Sequence, residues 1–415
     1  MKRLKKVLSV FIAALIVSAF SVTACAQEIL PFSSDGKIIA VAHGGDTMKY
    51  PKNSLAAVQA AFEAGADCAS IDIKRTVDGG FVLSDSNELG DVSLEGRGMV
   101  ISMLPLSQVV SLHLTDKSAN ISEYFIADLP SVLKCAVDND KTLIIDGGWQ
   151  YREELYNLIY SSGAQNNAII RTKAPKKEIK AFIAATSSMC SVVGEYHGNI
   201  LFNARSYISS LSKAGCKMVY LGTKNTFGSI FRKGVISAFS KTSYSSRAGM
   251  KTYDMNESGN RPDCEETWGD IIDRGYSVIE TDRISDLVGY LNKLDAERGA
   301  LGALVSQADK VEMGFLTAQS RKEIEKAKKD AAYTMTSLAS FETLSLAKSK
   351  LNLAINNKVL SDATESVLPG VFRITGGKVI AVLLIAALLA VVQMYFYYMR
   401  ADRKMPLWLR KFLRK

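Results

Sequence analysis

Short apolar segments rich in β-forming residues alternate with longer helical segments from Lys37 to about Asp295. Such alternation is typical of a parallel sheet whose strands are joined by helices. Nine apolar segments occur, but Asp78-Gly79-Gly80 separates the second from the third and favours a hairpin extension. Eight strands then remain, the number in a TIM barrel, so we predict this α/β fold for residues 37–295. The nine segments are Ile38–Ala42, Ala69–Ile73, Phe81–Leu83, Thr142–Ile145, Ala168–Arg171, Ser191–Val193, Met218–Leu221, Lys251–Tyr253 and Ser277–Glu280.

The composition changes after residue 295, where strand-like segments stop and Ala, Lys, Glu, Leu and Ser dominate. Apolar residues such as Leu344, Ala347 and Leu351 recur at helical spacing. We therefore predict a helical stalk or a small three-helix module over residues 296–365. The stretches LVSQADKVEMGFLTAQSRKEIEKAKKDA and LAKSKLNLAIN loosely resemble extracellular three-helix repeat modules of bacterial surface proteins. A stalk that holds the barrel off a membrane explains the same pattern without a binding function.

Residues 1–26 have the three parts of a secretory signal peptide. Four basic residues precede an apolar run from Val7 to Phe20, and Ala24-Cys25-Ala26 offers a cleavage site with small residues. Two alternatives fit the same residues: a membrane anchor that stays uncut, and a bacterial lipobox in which Cys25 is lipidated. Each of the three predicts export of the residues that follow.

An apolar run near the C-terminus predicts one transmembrane helix over residues 379–399. Its 21 residues contain a single polar residue, Gln393. At ~1.5 Å per residue, a helix of this length spans a hydrocarbon layer of ~30 Å. Aromatic residues 395–398 crowd one end, as interfacial aromatics do, and residues 400–415 form a basic tail. The positive-inside rule then predicts a single-pass protein of the cell membrane, with its large domain extracellular and its C-terminus cytoplasmic.

The net charge of +9 does not indicate a nucleic-acid partner, because the charge is concentrated at the two ends of the chain. The first six residues carry +4 and residues 400–415 carry +6, which leaves −1 for everything between them. The basic balance is therefore a signal of membrane topology. We predict a membrane partner and no nucleic-acid partner.

Polar residues at the ends of the predicted strands are the candidates for chemistry. In a parallel barrel, the C-terminal ends of the strands meet at one mouth. His43, Asp72, Asp85 and Asp146 stand at or just after four such ends, and Asp282 follows the last strand. One imidazole among several carboxylates suits a divalent cation with a general acid or base beside it.

Three stretches of the chain carry a more specific pattern: VAHGGDTMKYPKNSLAAVQAAFEAGADCASIDIKRTVDGGFVLSDSNEL near the start, and AGMKTYDMN and RGYSVIETDR near the end. They resemble the glycerophosphodiester phosphodiesterase family over about residues 37–295. That family typically has His-Arg-Gly, Pro-Glu-Asn, a helix ending in Gly-Ala-Asp, then Glu-x-Asp, Asp-Gly and His-Asp. The resemblance implies a TIM barrel that cleaves glycerophosphodiesters with one divalent metal, Ca²⁺ or Mg²⁺. It also implies two histidines as acid and base, and an arginine that contacts phosphate.

Carried over position by position, the resemblance assigns His43 and Asp85 to catalysis, with Asp85 in the place of the second histidine. It assigns Asp72 and Asp146 to the metal. Asp146 is shorter than the glutamate of the family, and Ser70 stands where the first metal carboxylate is expected. Because carboxylates supply much of the affinity for such cations, we predict a weakened metal site.

The substrate side of the motif also departs from the family. Gly45 replaces the arginine of His-Arg-Gly, and Lys52 replaces the glutamate of Pro-Glu-Asn, while Asn53 is retained. We assign Lys52 and Asn53 to substrate binding. An aspartate such as Asp85, with a reference pKa of ~3.9, is a poor proton donor near neutral pH compared with a histidine at ~6.5.

Two functions stay open at this point. The first is an extracellular phosphodiesterase with reduced or lost activity, acting on glycerophosphodiesters, lipid headgroups or polyol-phosphate polymers. The second is a non-catalytic barrel that binds a ligand or a cell-surface partner at the same mouth. The departures from the motif favour the second function on grounds of mechanism, whereas the resemblance itself favours phosphodiester hydrolysis.

Overall fold

The computed structural model describes residues 37–186, 190–197, 204–216, 218–222, 247–251 and 262–360. The predicted signal peptide, transmembrane helix and basic tail lie outside these ranges, as do residues 361–365 of the predicted helical part. Within the ranges, no helix combines the length and the apolar composition that crossing a bilayer requires. The described residues as far as Val359 form one compact unit.

Eight parallel strands close into a ring, which confirms the predicted α/β barrel. The strands in the described ranges are β1 (Ile39–His43), β2 (Cys68–Arg75), β3 (Phe81–Leu83), β4 (His113–Thr115), β5 (Ile121–Phe125), β6 (Thr142–Asp146), β7 (Ala168–Thr172), β8 (Ser191–His197), β9 (Met218–Gly222), β10 (Arg247–Lys251) and β11 (Val278–Thr281). The ring runs β1-β2-β6-β7-β8-β9-β10-β11 and closes where β11 pairs with β1. β3 pairs antiparallel with the end of β2, as the turn sequence predicts.

Helices follow most of the strands and pack on the outer face of the sheet, one short helix lies between β3 and β4, and three helices of the described ranges follow the last strand. They are α1 (Leu55–Glu63), α2 (Leu106–Val109), α3 (Leu129–Asp138), α4 (Arg152–Ser161), α5 (Lys176–Ala185), α6 (Ala204–Lys213), α7 (Glu265–Asp273), α8 (Ile284–Asp309), α9 (Ala318–Thr336) and α10 (Phe341–Asn356). The main hydrophobic core lies between these helices and the outer side of the strands, where Val58 and Leu133 join Ile71 and Ile145 in one buried cluster.

The inner face of the barrel is apolar at its base and polar at its mouth. Ile39, Ile144, Ile169 and Val278 belong to a second buried cluster, formed by the inward residues at the base. Because side chains alternate between the two faces of a strand, the inward positions recur at every second residue. Towards the mouth these positions are His43, Ser70, Asp72, Asp146, Arg171, Glu195 and Glu280.

The loop between β1 and α1 runs along the mouth. Gly44 and Gly45 both have positive φ, +71° and +92°, and Asn53 adopts the left-handed conformation with φ of 58°. Gly45 requires this residue type, because a Cβ there would lie 2.4 Å from the backbone carbonyl carbon of Ala57. Ser54 caps α1 by accepting a hydrogen bond from the Ala57 amide at 3.0 Å. The capped helix therefore fixes where Lys52 and Asn53 stand.

A small subdomain between β3 and α3, which the sequence did not predict, holds the β4–β5 hairpin. It has an apolar cluster of its own, which includes Leu89, Ile101, Val109 and Leu114. Tyr124 of β5 packs edge-on against Tyr50 of the mouth loop, with ring centroids 5.4 Å apart. The subdomain therefore borders the mouth at the side of the β1–α1 loop.

The helical part after the barrel consists of α8, α9 and α10. The predicted limit at residues 295–296 lies inside α8, which runs without interruption from Ile284 to Asp309. α10 also contacts the barrel, because Asp273 of α7 accepts hydrogen bonds from the amide and the hydroxyl of Ser340 at 2.8 and 2.9 Å. Whether the barrel and the helices fold separately stays a prediction.

Candidate active site at the mouth of the barrel

His43, at the end of β1, is held by a carboxylate that follows the neighbouring strand β11. Its Nδ1 lies 2.7 Å from Oδ1 of Asp282, which follows β11. Asp282 is itself fixed, since its backbone amide donates to the carboxylate of buried Asp263 at 2.9 Å. A carboxylate bonded to one ring nitrogen sets the orientation and the tautomer of the imidazole. This pair is therefore suited to acid–base chemistry or to contact with an anion.

Lys52 lies across the mouth loop between two carboxylates. Its Nζ is 3.3 Å from Oδ2 of Asp85 and 3.8 Å from Oδ2 of Asp72, and the Lys52 side chain is 35% exposed. The stem of Lys52 passes over Gly44, where a Cβ would lie 2.4 Å from the Lys52 Cγ. The glycine therefore provides the space that brings this amino group into the mouth.

Asn53 and Asp72 bind each other in both directions. The Asn53 carboxamide donates to Oδ2 of Asp72 at 3.3 Å, and its oxygen accepts from the Asp72 amide at 3.1 Å. This double contact fixes the end of β2 against the β1–α1 loop. In the structure Asn53 therefore supports Asp72.

A buried guanidinium connects two further acidic residues of the mouth, Asp146 and Glu280. Arg171 of β7 donates through Nε to Oδ1 of Asp146 at 2.6 Å, and through Nη2 to Oδ2 of the same residue. Its Nη1 donates to Oε2 of Glu280 at 2.5 Å, while Ser70 donates to Oε1 of Glu280 at 2.6 Å. The side chains of Arg171 and Glu280 are each 1% exposed. Burial lowers the pKa of Arg171, but the charges of Glu280 and Asp146 outweigh it and raise that pKa well above its ordinary value.

Comparison with known proteins matches part of this chain to a known family. Residues 43–193 match the model of the Glycerophosphoryl diester phosphodiesterase family. The chain carries a domain of this family. A glycerophosphoryl diester phosphodiesterase from Parabacteroides distasonis has the same fold, with a TM-score of 0.52 and 20% identity over 64% of this chain and 90% of that chain.

Two further structures of the family are more distant in geometry. A phosphodiesterase from Oleispira antarctica, solved with the product sn-glycerol-3-phosphate, gives a TM-score of 0.48 and 15% identity over 60% of this chain and 94% of its own. A glycerophosphodiester phosphodiesterase from Thermotoga maritima gives 0.46 and 18% over 61% and 97%. No curated protein matches the chain.

The residues at the metal positions of the glycerophosphodiesterase domain do not fit a divalent cation. Asp72 and Asp146 are partners in the register of β2 and β6, so the predicted metal pair is adjacent. Both oxygens of Asp146, however, accept hydrogen bonds from Arg171. Asp72 accepts a hydrogen bond from Asn53 and lies 3.8 Å from the Lys52 amino group. Among the described residues, no group of three or more His, Cys, Asp or Glu side chains has the arrangement of a metal site.

The predicted site residues of the glycerophosphodiesterase domain fall into three groups. Lys52, Asn53, Asp72 and Asp85 lie together at one side of the mouth. His43 pairs instead with Asp282, and Asp146 belongs to the Arg171 network. Their roles in catalysis, substrate binding and metal binding stay predictions.

One position needs a correction. The glycine that directly follows His43, and therefore replaces the arginine of the family motif, is Gly44 and not Gly45. Gly45 corresponds to the glycine of the motif, and its contact with Ala57 explains why that residue is retained.

Sequence analysis missed Arg171 and Glu280 as site residues, although both end predicted strands. A charged residue inside an apolar parallel strand was the available signal, because such strands are buried on both faces. Ala168-Ile169-Ile170-Arg171 and Val278-Ile279-Glu280 each contain one. Buried charges are rare unless paired, so each residue predicts a partner of opposite sign.

Proposed function

We propose that the mouth of this barrel binds a glycerophosphodiester-type ligand and does not hydrolyse it through a divalent metal. One observation carries the proposal: the acidic residues at the metal positions of the family already have cationic partners. Arg171 binds Asp146, and the Lys52 amino group lies 3.8 Å from Asp72. The class of ligand is proposed from the family of residues 43–193.

The charges around Lys52 favour a zwitterionic ligand over a dianion. Lys52 supplies an amino group that can bind a phosphoryl oxygen. The carboxylate of Asp85 is 45% exposed, lies 3.3 Å from this amino group and can bind a cationic or hydroxyl group of the same ligand. A phosphodiester such as glycerophosphocholine carries both charges, whereas glycerol phosphate would add negative charge beside Asp85 and Asp72. Like charges at such distances repel, and opposite charges attract.

The groups that hydrolysis needs are incomplete. Cleavage of a phosphodiester requires a cation at the phosphoryl oxygens and a proton donor for the leaving alkoxide. Asp85 occupies the position of the second histidine and is paired with Lys52. Losing one general acid–base partner typically reduces the rate by ~10²–10⁴. A weak phosphodiesterase activity is the alternative, and the retained His43–Asp282 pair is the observation that favours it.

A binding experiment tests the proposal directly. Calorimetry on the full-length protein in detergent with EDTA is expected to show that glycerophosphocholine binds more tightly than glycerol phosphate. Lys52→Met should weaken binding by about tenfold or more, the effect of losing one charged hydrogen bond of about 1.5–3 kcal/mol. Lys134→Met on the outer helix α3 removes the same charge away from the mouth and should leave binding unchanged.

The same preparation decides whether catalysis survives. With Ca²⁺, Mg²⁺ or Mn²⁺, we expect turnover of glycerophosphocholine far below the usual enzymatic range of ~1–10³ s⁻¹. Turnover inside that range, abolished by both His43→Ala and Asp72→Ala, would establish metal-dependent hydrolysis and contradict the proposal.

The proposal also places the barrel outside the cell, tethered by one C-terminal helix. It is supported by the sequence of residues 379–399, an apolar run followed by the basic residues 400–415. Protease added to intact cells is expected to digest the barrel and to spare a tag placed after Lys415. A tag that is digested while the barrel survives would reverse the proposed orientation.

A further inference from the structure

We propose that the guanidinium of Arg171 takes the place of a divalent metal as the cation that holds the mouth of this barrel together. The inference rests on the proposed metal-free function and names the group that makes such a function possible. It starts from the positions of four strand ends, which belong to β2, β6, β7 and β11. One charged network connects all four through Ser70, Asp146, Arg171 and Glu280.

The bonding of Arg171 leaves its two acidic partners little capacity for a metal ion. Both oxygens of Asp146 accept from the guanidinium, and Oε2 of Glu280 accepts from Nη1 at 2.5 Å. The other oxygen, Oε1, accepts from Ser70 at 2.6 Å. All four carboxylate oxygens are therefore engaged. A divalent ion would need several of the same oxygens as ligands.

The surroundings of Arg171 suit a permanent organic cation. The guanidinium carbon lies 4.5 Å from the centroid of the Tyr220 ring, a cation–π contact made from β9. An arginine is more weakly hydrated than an ammonium group and presents a planar set of donors, so it is the cation best suited to a buried ion pair. Repulsion between this charge and a divalent ion is strong where water is excluded. Arg171 therefore excludes the metal whose place it takes.

Ser70 limits the negative charge of the network around Arg171. It stands at the family position of the first metal carboxylate, on the strand next to β1 and β6. Its hydroxyl donates to Glu280, so it adds no negative charge to a network that contains one cation and two carboxylates. A glutamate at this position would give three carboxylates for one guanidinium.

The test is a thermal unfolding series on the full-length protein in detergent, with EDTA, Ca²⁺ or Mn²⁺. The wild-type protein is expected to show no shift in Tm with either cation. Arg171→Met removes the guanidinium, so that an added cation no longer competes with it for Asp146 and Glu280. This variant should gain a cation-dependent rise of about 3 °C or more, the size expected when the cation is about 100-fold above its dissociation constant.

Two control variants separate ligation from general effects of charge. Arg283→Met removes an exposed arginine from the start of α8 and should show no response to cations. Arg171→Met combined with Asp146→Asn removes one carboxylate and should lose most of the gained shift. If Arg171→Met does not fold in EDTA, recovery of folded protein in Ca²⁺ supports the inference, and failure in both conditions contradicts it.

Other outcomes would overturn the inference. One is a cation-dependent rise in the Tm of the wild-type protein that Asp146→Asn abolishes, because Arg171 would then coexist with a metal. Another is a folded Arg171→Met variant that no cation stabilises. Binding of glycerophosphocholine is a separate measurement that depends on Lys52, so a cation response without that binding would retain this inference and reject the proposed ligand.

Discussion

Replacing Arg171 with alanine is expected to lower the free energy of unfolding by about 3–5 kcal/mol, the usual cost of removing one partner from a buried ion pair. The side chains of Arg171 and Glu280 are each 1% exposed, and Asp146 is 18% exposed. The substitution leaves the buried carboxylate of Glu280 and the largely buried carboxylate of Asp146 without the guanidinium, where water solvates them poorly. Chemical denaturation of the full-length protein, followed by circular dichroism, measures the loss.

Two comparisons show whether charge, and not only lost volume, causes the effect. The triple variant Arg171→Met, Asp146→Asn and Glu280→Gln removes all three charges and should recover most of the stability. Arg283→Ala breaks an exposed pair with Asp286, 49% and 53% exposed, and should cost about 0–1 kcal/mol. The deficit of Arg171→Ala should shrink at acid pH, because protonation neutralises the stranded carboxylates. A deficit that is the same at all pH values and in the triple variant would point to packing alone.

A chain that ends at residue 297 is expected to aggregate or to lose cooperative unfolding. The cut falls inside α8 and removes α9 and α10. Leu344 and Leu351 of α10 are fully buried and belong to the same hydrophobic cluster as Trp268 of α7. Exposing each large apolar side chain costs about 1.5–3 kcal/mol, so a few of them match a typical total stability of about 5–15 kcal/mol.

A chain that ends at residue 360 is the matched control and should be monomeric with a single thermal transition. It retains the bonds of Asp273 to Ser340 at 2.8 and 2.9 Å and every helix of the described helical part. Size-exclusion chromatography and thermal unfolding of both chains give the result. A monomeric chain ending at 297 with the same Tm as the control would show that the barrel is an independent domain.

The periodic features of the barrel could be predicted from the sequence because they depend on local patterns. The segment Phe81–Leu83 matches β3 residue for residue, and its antiparallel pairing follows from the Asp78-Gly79-Gly80 turn. The change in composition near residue 295 was a poorer guide. The last helix of the barrel simply continues past that point, since nothing in Ala296-Glu297-Arg298 ends a helix.

The site was predictable residue by residue but not as a set of pairs. Asp72, Asp85 and Lys52 do meet at the mouth, because strand ends and one capped loop bring them there. The pairing of Asp146 with Arg171 changes its chemistry, and Glu280 in the same network lies 109 residues from Arg171 in sequence. No local pattern encodes a contact at that separation. Only the closure of the ring brings β11 near β7.

The close passage of Lys52 over Gly44 has a consequence for any attempt to restore the motif of the family. An arginine at position 44 would place its Cβ 2.4 Å from the Lys52 Cγ and would have to adopt a φ of +71°. Positions 44 and 52 are therefore coupled through one close contact, and each exchange meets its own obstacle. Gly44→Arg collides with the lysine stem, whereas Lys52→Glu removes the amino group and places a third carboxylate beside Asp72 and Asp85. Because glutamate also has a Cγ, exchanging Lys52 as well does not remove the obstacle to a side chain at position 44, so the backbone of this loop would have to move before the family motif could fit.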